Sequence, residues 1–296
     1  MSRNVRVFQV DAFTSQRFCG NPAGVVLDAD ALTAAEMQSL ARELNNGDTV
    51  FLSSADGTDH DVRARFFTPR REAAFVGHAT LAAHAVLAQL ELPPRPRQKQ
   101  SSGIVTVTTQ AGVPARIAIS QPPPPLGRAL TAAELEAILA ALSLGPAELD
   151  RSCPPLLAGP ATRVLLGVAT PQSLQRLRPD FGRLAALSAQ IGAAGFFLFT
   201  LLGSTAQRAT EARMFCPALG IAEDPVSGNA HAMLGVYLLH HNLIMPEAAG
   251  FEGAQGHQMG RPGRVQVSFE RDGAGLRAVA ICGQATIVFA TSVDFP

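Results

Sequence analysis

The chain has 296 residues, of which 47 % are hydrophobic and only 16 % charged, and its formal net charge is zero. That balance favours neither nucleic acid nor an anionic membrane surface, and with no tryptophan and one tyrosine, Tyr237, aromatic stacking on nucleic acid is poorly supplied. The length suits one large domain or two of ordinary size, with apolar residues enough for a sizeable core.

Val5 to Val10 reads as an opening strand, and the start of the chain shows no signal-peptide apolar region. Thr33-Ala-Ala-Glu36 is a capping box that predicts a helix to about Leu44, stopped by the turn signal Asn45-Asn46-Gly47. Strands are predicted at Thr49 to Leu52 and Asp61 to Phe67. His78 to Leu90 is apolar nearly all round, the mark of a helix enclosed by protein. Alternation returns at Ile104 to Thr109 and Ala115 to Ser120, followed by the linker-like Gln121-Pro-Pro-Pro-Pro125. Thr131-Ala-Ala-Glu134 is a second capping box. Further strands are predicted at Arg163 to Val168, Gly195 to Leu201 and Arg213 to Phe215. The longest apolar run, Ile191 to Leu202, is too short to span a bilayer and reads as a buried strand. A second apolar helix covers Asn229 to His240, and strands at Val265 to Phe269, Leu276 to Ile281 and Thr286 to Ala290 close the chain.

Chemistry is bounded by scarcity. Lys99 is the only lysine and stands in a Pro/Arg-rich stretch, which removes P-loop chemistry and disfavours a Schiff base. Cys19, Cys153, Cys216 and Cys282 lie far apart and form no CxxC, as expected of free thiols in a cytoplasmic protein. No zinc-ligand spacing and no nucleophile-elbow motif is present. His84, His240 and His241 read as core or helix-end residues.

A faint repeat carries more. Glu72-x4-Gly77-His78-Ala79 and Glu223-Asp224-x3-Gly228-Asn229-Ala230 stand about half a chain apart, each after a strand and before a buried helix. They predict an α+β fold of two like lobes, strands wrapped around a central helix in each. A helix N-terminus offers unpaired amides and partial positive charge, and glycine lets a ligand approach. Two such termini suit a carboxylate, with the neighbouring acids moving protons or merely capping the helices.

At these residues the chain resembles the phenazine-biosynthesis PhzF-like isomerase family. The resemblance runs through Val10-Asp11-Ala12-Phe13-Thr14, Gly20-Asn21-Pro22, Phe67-Thr68-Pro69-x-x-Glu72 and Gly77-His78-Ala79-Thr80. It continues through Arg213-x-Phe215-x-Pro217, Gly220-Ile221-x-Glu223-Asp224-Pro225 and Gln255-Gly256-x-x-Met259-Gly260-Arg261-Pro262-Gly263. It implies a fold similar to diaminopimelate epimerase: an N-terminal lobe over residues 1–122, with 284–296 returning to it, and a C-terminal lobe over 126–283. It also implies an active site between the lobes, a small carboxylate substrate, no cofactor or metal, and a homodimer. Asp48, His78 and Asp224 are then the candidate catalytic residues, and Gly77, Gly228 and Asn229 the candidate substrate-binding ones.

Two positions depart from the family pattern. Asp48, in Asn45-Asn46-Gly47-Asp48-Thr49-Val50-Phe51, stands where the family places glutamate, and Asn229 stands where many members have serine. A carboxylate partly buried in a cleft keeps the acid/base chemistry in kind, with a reach shorter by about 1 Å. The expected activity is proton movement between carbons of a small unsaturated or hydroxylated acid. The alternatives are epimerisation of a related acid and a catalytically weakened acid-binding protein. Two-thiol racemisation is disfavoured, because no cysteine falls at Gly77-His78 or Gly228-Asn229.

Overall fold

The computed structural model describes residues 3–159, 162–273 and 275–295. The chain divides into two compact units, Met1–Gln121 with Cys282–Pro296, and Pro122–Ile281.

Unit 1 begins with β1 (Arg3–Ala12), antiparallel to β2 (Asn21–Leu27). Helix α1 (Ala34–Leu44) then crosses over to β3 (Asp48–Ser54), which runs parallel to β2. The α1 capping box forms in both directions, and Asn45 ends the helix in the left-handed conformation at φ 51°. Next come β4 (Val62–Phe67), antiparallel to β3, and the short β5 (Glu72–Ala73) folded back on β4. After α2 (Gly77–Gln89) follow β6 (Arg97–Gln100), parallel to β4, then β7 (Gly103–Gln110) and β8 (Arg116–Gln121). The last strand of the chain pairs with both β8 and β1 and closes this sheet into a barrel. Inside it lies α2, packed against β1, β2, β3, β7 and β8 and buried almost throughout from Gly77 to Leu87. Enclosure is what an all-round apolar helix requires, each buried Leu or Val contributing about 1.5–3 kcal/mol. Outside the barrel, α1 lays Met37, Leu40 and Ala41 over Val26, Phe51 and Phe67.

Unit 2 repeats this order. It opens with β9 (Leu126–Ala129), α3 (Ala132–Leu142), β10 (Leu156–Ala158) and β11 (Arg163–Gly167). A crossover with α4 (Pro171–Gln175) and α5 (Phe181–Ile191) leads to β12 (Gly195–Leu202), parallel to β11. Antiparallel β13 (Ala209–Cys216) and β14 (Ile221–Asp224) precede α6 (Gly228–His240). Then come β15 (Gly250–Gln255), parallel to β13, β16 (Gly263–Asp272) and β17 (Gly275–Phe295). Here α6 packs against β9, β15 and β16. On the other face of the sheet, α3 and α5 bury Ile138, Leu142 and Leu184 with Phe196, Leu198 and Phe215. The fold is α+β, two pseudo-symmetric lobes each with barrel-like strands around a central helix.

Two expectations need correction. Leu276 to Ile281 and Thr286 to Ala290 are not separate strands but parts of the one strand β17. The glycine between them, Gly283, serves close packing and not a turn: a Cβ there would lie 2.7 Å from Phe13 Cδ1. Ile191 belongs to α5, whose start is capped by the Asp180 side chain, and not to the following strand.

Candidate active site

In unit 1 the sequence brings a carboxylate to the mouth of the buried helix. Asp48 is the first residue of β3, in parallel register with Ala23. The turn before it is fixed by a reciprocal amide pair, Gln9 Nε2 donating to Asn46 Oδ1 at 3.0 Å and Asn46 Nδ2 to Gln9 Oε1 at 2.8 Å. Sequence reasoning did not anticipate this pair, because Gln9 is one polar residue in an apolar strand.

His78 lies in the first turn of α2, and its Nε2 is 3.8 Å from Asp48 Oδ2. The two side chains are 11 % and 13 % exposed, and His78 Nε2 is buried with no hydrogen-bond partner. Burial lowers the His78 pKa to about 4, so the imidazole is neutral at pH 7. The positive end of the helix acts in the same direction. Val76, at the N-cap, makes no side-chain bond to the first turn, which leaves that turn's amides to a ligand or solvent. Asp48 and His78 thus stand side by side at the mouth of α2, which begins with Gly77.

At the mouth of α6 stand Asp224, the last residue of β14, and Gly228 and Asn229, the first two of the helix, in different chemistry. Ser227 caps the helix by accepting from Ala230 N, and Ser227 N donates to Gln255 Oε1 at 3.0 Å. Gln255, 1 % exposed, also donates Nε2 to the Asp224 carbonyl at 2.6 Å, pinning the turn from β15. His231 donates Nδ1–H to the Ser227 carbonyl at 2.8 Å, which fixes its tautomer and leaves Nε2 unprotonated. Burial lowers its pKa to about 4. Asn229 Oδ1 is buried without a partner.

The repeated glutamates do not cap the helices; each is engaged by an arginine. Glu72 accepts from Arg65 Nε and Nη2 at 2.7 and 2.8 Å, and Glu223 from Arg213 Nε and Nη2 at 2.9 and 2.8 Å. Each arginine also lies over the phenylalanine two residues on, Phe67 at 5.1 Å and Phe215 at 5.0 Å. The shared Arg-x-Phe spacing was the available signal that both acids were engaged.

The pseudo-symmetry breaks at the acid. The first residue of β12, counterpart of Asp48, is Gly195, where a Cβ would lie 2.6 Å from Cys216 Sγ and 2.9 Å from the Phe215 carbonyl oxygen. No side chain fits there, and the counterpart of His78 is Asn229.

The fold, two like lobes with barrel-like strands around a central helix, is that of the epimerase-like class. The chain belongs to the phenazine biosynthesis-like protein family, whose model matches residues 10–291. It is 36 % identical to an uncharacterized isomerase of Clostridium acetobutylicum over 98 % of each chain. It is 31 % identical to the trans-2,3-dihydro-3-hydroxyanthranilate isomerase of Pseudomonas aeruginosa, covering 94 % of this chain and 95 % of that one. A PhzF-family structure from Bacillus anthracis matches with a TM-score of 0.85 at 27 % identity, over 98 % of this chain and 99 % of that one. A hydroxyproline epimerase from Agrobacterium vitis shares the fold, with a TM-score of 0.65 at 13 % identity over 99 % of this chain and 93 % of that one.

Proposed function

We propose that the protein moves a proton between two carbons of a small unsaturated or hydroxylated carboxylic acid, with Asp48 as general acid/base. The observation that carries this reading is the asymmetry of the helix mouths: one carboxylate–imidazole pair, and a counterpart position that admits no side chain. In the reaction a substrate C–H bond breaks and an Asp48 O–H bond forms. The electron pair extends the substrate's double bond, and the proton returns from Asp48 to a different carbon. His78, neutral, hydrogen-bonds a polar group of the substrate beside Asp48 or relays the proton. Asp224 holds a second polar group. The amides of Gly77, Gly228 and Asn229 bind the carboxylate and stabilise charge developing toward it. The reaction draws on no metal or cofactor, and a homodimer is proposed from the family resemblance.

The test is deuterium uptake in D2O followed by NMR over a panel of unsaturated and hydroxy acids, including trans-2,3-dihydro-3-hydroxyanthranilate, with wild type and Asp48→Asn side by side. Uptake at a new carbon with wild type, and a loss of at least about a hundredfold in Asp48→Asn, is the expected result. Wild-type turnover in Asp48→Asn overturns the assignment. Inversion at the carbon that lost the proton would identify an epimerase, and binding without exchange an acid-binding protein.

A further inference from the structure

We infer that unit 1 carries a second ligand site, on the outer face of its barrel and separate from Asp48 and His78, built for a small organic carboxylate with a flat apolar part.

The site is a groove of about 480 Å³, within the range of small-molecule sites, and neither Asp48 nor His78 lines it. It opens where the strand ladder parts. β6 holds β4 at Val62–Gln98 and Arg63–Lys99, while β5 holds β4 only from Phe66–Ala73 onward. Ala64 and Arg65 lie in the gap.

In unit 2 the ladder parts only at Arg213, because β15 holds β13 through Ala212–Gln255 and β14 resumes at Met214–Asp224. There the crossover from β11 to α5 runs through residues 168–180 and includes α4. Leu174, fully buried, and Leu177 bring their carbonyls to the arginine, Arg213 Nη1 donating to them at 3.2 and 3.4 Å. The Arg213 and Glu223 side chains are consequently only 8 % and 13 % exposed. In unit 1 the crossover is residues 28–33, with a single 3-10 turn at Ala29–Ala31. Nothing corresponds to α4, and Arg65 and Glu72 remain 39 % and 41 % exposed. Arg65 spends Nε and Nη2 on Glu72, and its Nη1 has no acceptor among the described residues.

The occupant must therefore supply what residues 174–177 supply in unit 2, an oxygen acceptor and an apolar body. Charge selects the acceptor. Arg63, Arg65 and Lys99 line the groove against Asp30 and Glu72. Lys99 and Arg63 share one partner, Asp56, at 3.1 Å each, so neither cation is fully neutralised. Asp30 is turned to the Ser54 amide. The buried side chains of Ala29, Leu32 and Met37 form the apolar wall. A carboxylate on Arg65 Nη1 and Lys99, with a ring against Met37, satisfies each group. This also gives a role to the chain's one lysine.

The probe is benzoate, with benzamide as its neutral isostere, added to full-length protein labelled with 13C at its methionine methyls. The chain has six methionines, and Met37 reports the groove. Met37→Leu assigns its signal. Benzoate is expected to shift Met37 saturably, and benzamide is not. Arg65→Gln should weaken binding about tenfold, the scale of one charge-assisted hydrogen bond. Lys99→Gln, at an exposed side chain, should weaken it severalfold and keeps the test decisive whether or not Arg65→Gln folds. Asp48→Asn should leave the shift unchanged, which separates this site from the proposed catalytic one. An unmoved Met37 signal up to about 20 mM benzoate overturns the inference, since millimolar affinity is expected of so small a ligand. Equal shifts with benzamide, or loss of the shift in Asp48→Asn, overturn it too.

Discussion

Lowering the pH from 7.5 to 5 should destabilise the fold through three buried histidines. Burial places His78, His84 and His231 at about 4 in the native chain, against an ordinary value of 6.5. Between those values the unfolded chain binds protons that the folded chain refuses. The stability is therefore fully present above 6.5 and is lost as pH falls toward 4. At pH 5 the loss is roughly 2 kcal/mol per histidine, about 6 kcal/mol for the three. That is on the order of a whole domain's stability of about 5–15 kcal/mol. Glu36 and Glu134, held at about 2 by hydrogen bonds from Arg3 and Arg128, add a loss of their own chiefly as pH falls below their ordinary value of 4.5. Urea unfolding at constant ionic strength, at pH 7.5 and 5, measures the effect, with nearly one proton taken up per histidine. His84→Gln should lower the uptake at pH 5 by about one proton. Equal midpoints at the two pH values, or NMR titration of folded His84 or His231 near 6.5, would refute the reasoning.

The two Arg–Glu pairs should separate by burial. Glu223→Gln leaves Arg213 uncompensated where it is 8 % exposed and should cost about 3–5 kcal/mol by denaturant titration. Glu72→Gln, at a half-exposed pair, should cost about 1 kcal/mol or less. Thr33→Ala and Thr131→Ala each remove a formed capping box and should each cost about 1 kcal/mol. Gly253→Ala would set a Cβ 2.1 Å from His231 Cδ2 and should lower stability by roughly 1–3 kcal/mol, seen as a fall in thermal midpoint.

Local rules carried much of the fold. Both capping boxes form as Thr33 and Thr131 announce, because each bond closes within four residues. The apolar helices α2 and α6 were legible because enclosure follows from having no polar face. The short strands β5, β9, β10 and β14 were not, since so few residues show no period and their pairing is settled by distant partners. At the candidate site, the meeting of Asp48 with His78 followed from family motifs, whereas the Gln9–Asn46 brace joins two residues from separate elements. The open groove was invisible for another reason: it is an absence, a short crossover seen only beside its longer counterpart.

Strand β17 has a consequence for how the molecule is made. Arg3 pairs with Phe295 and Ala12 with Ala285, so β1, which has β2 on one side, finds its second neighbour only beyond the whole of unit 2. During synthesis the barrel of unit 1 must wait, its β1 and β8 edges unpaired, while all of unit 2 is produced. Such edges invite pairing with other chains, and contacts this distant in sequence form slowly. Until β17 arrives the first lobe stays open, and the interval before closure is when the chain is most exposed to aggregation.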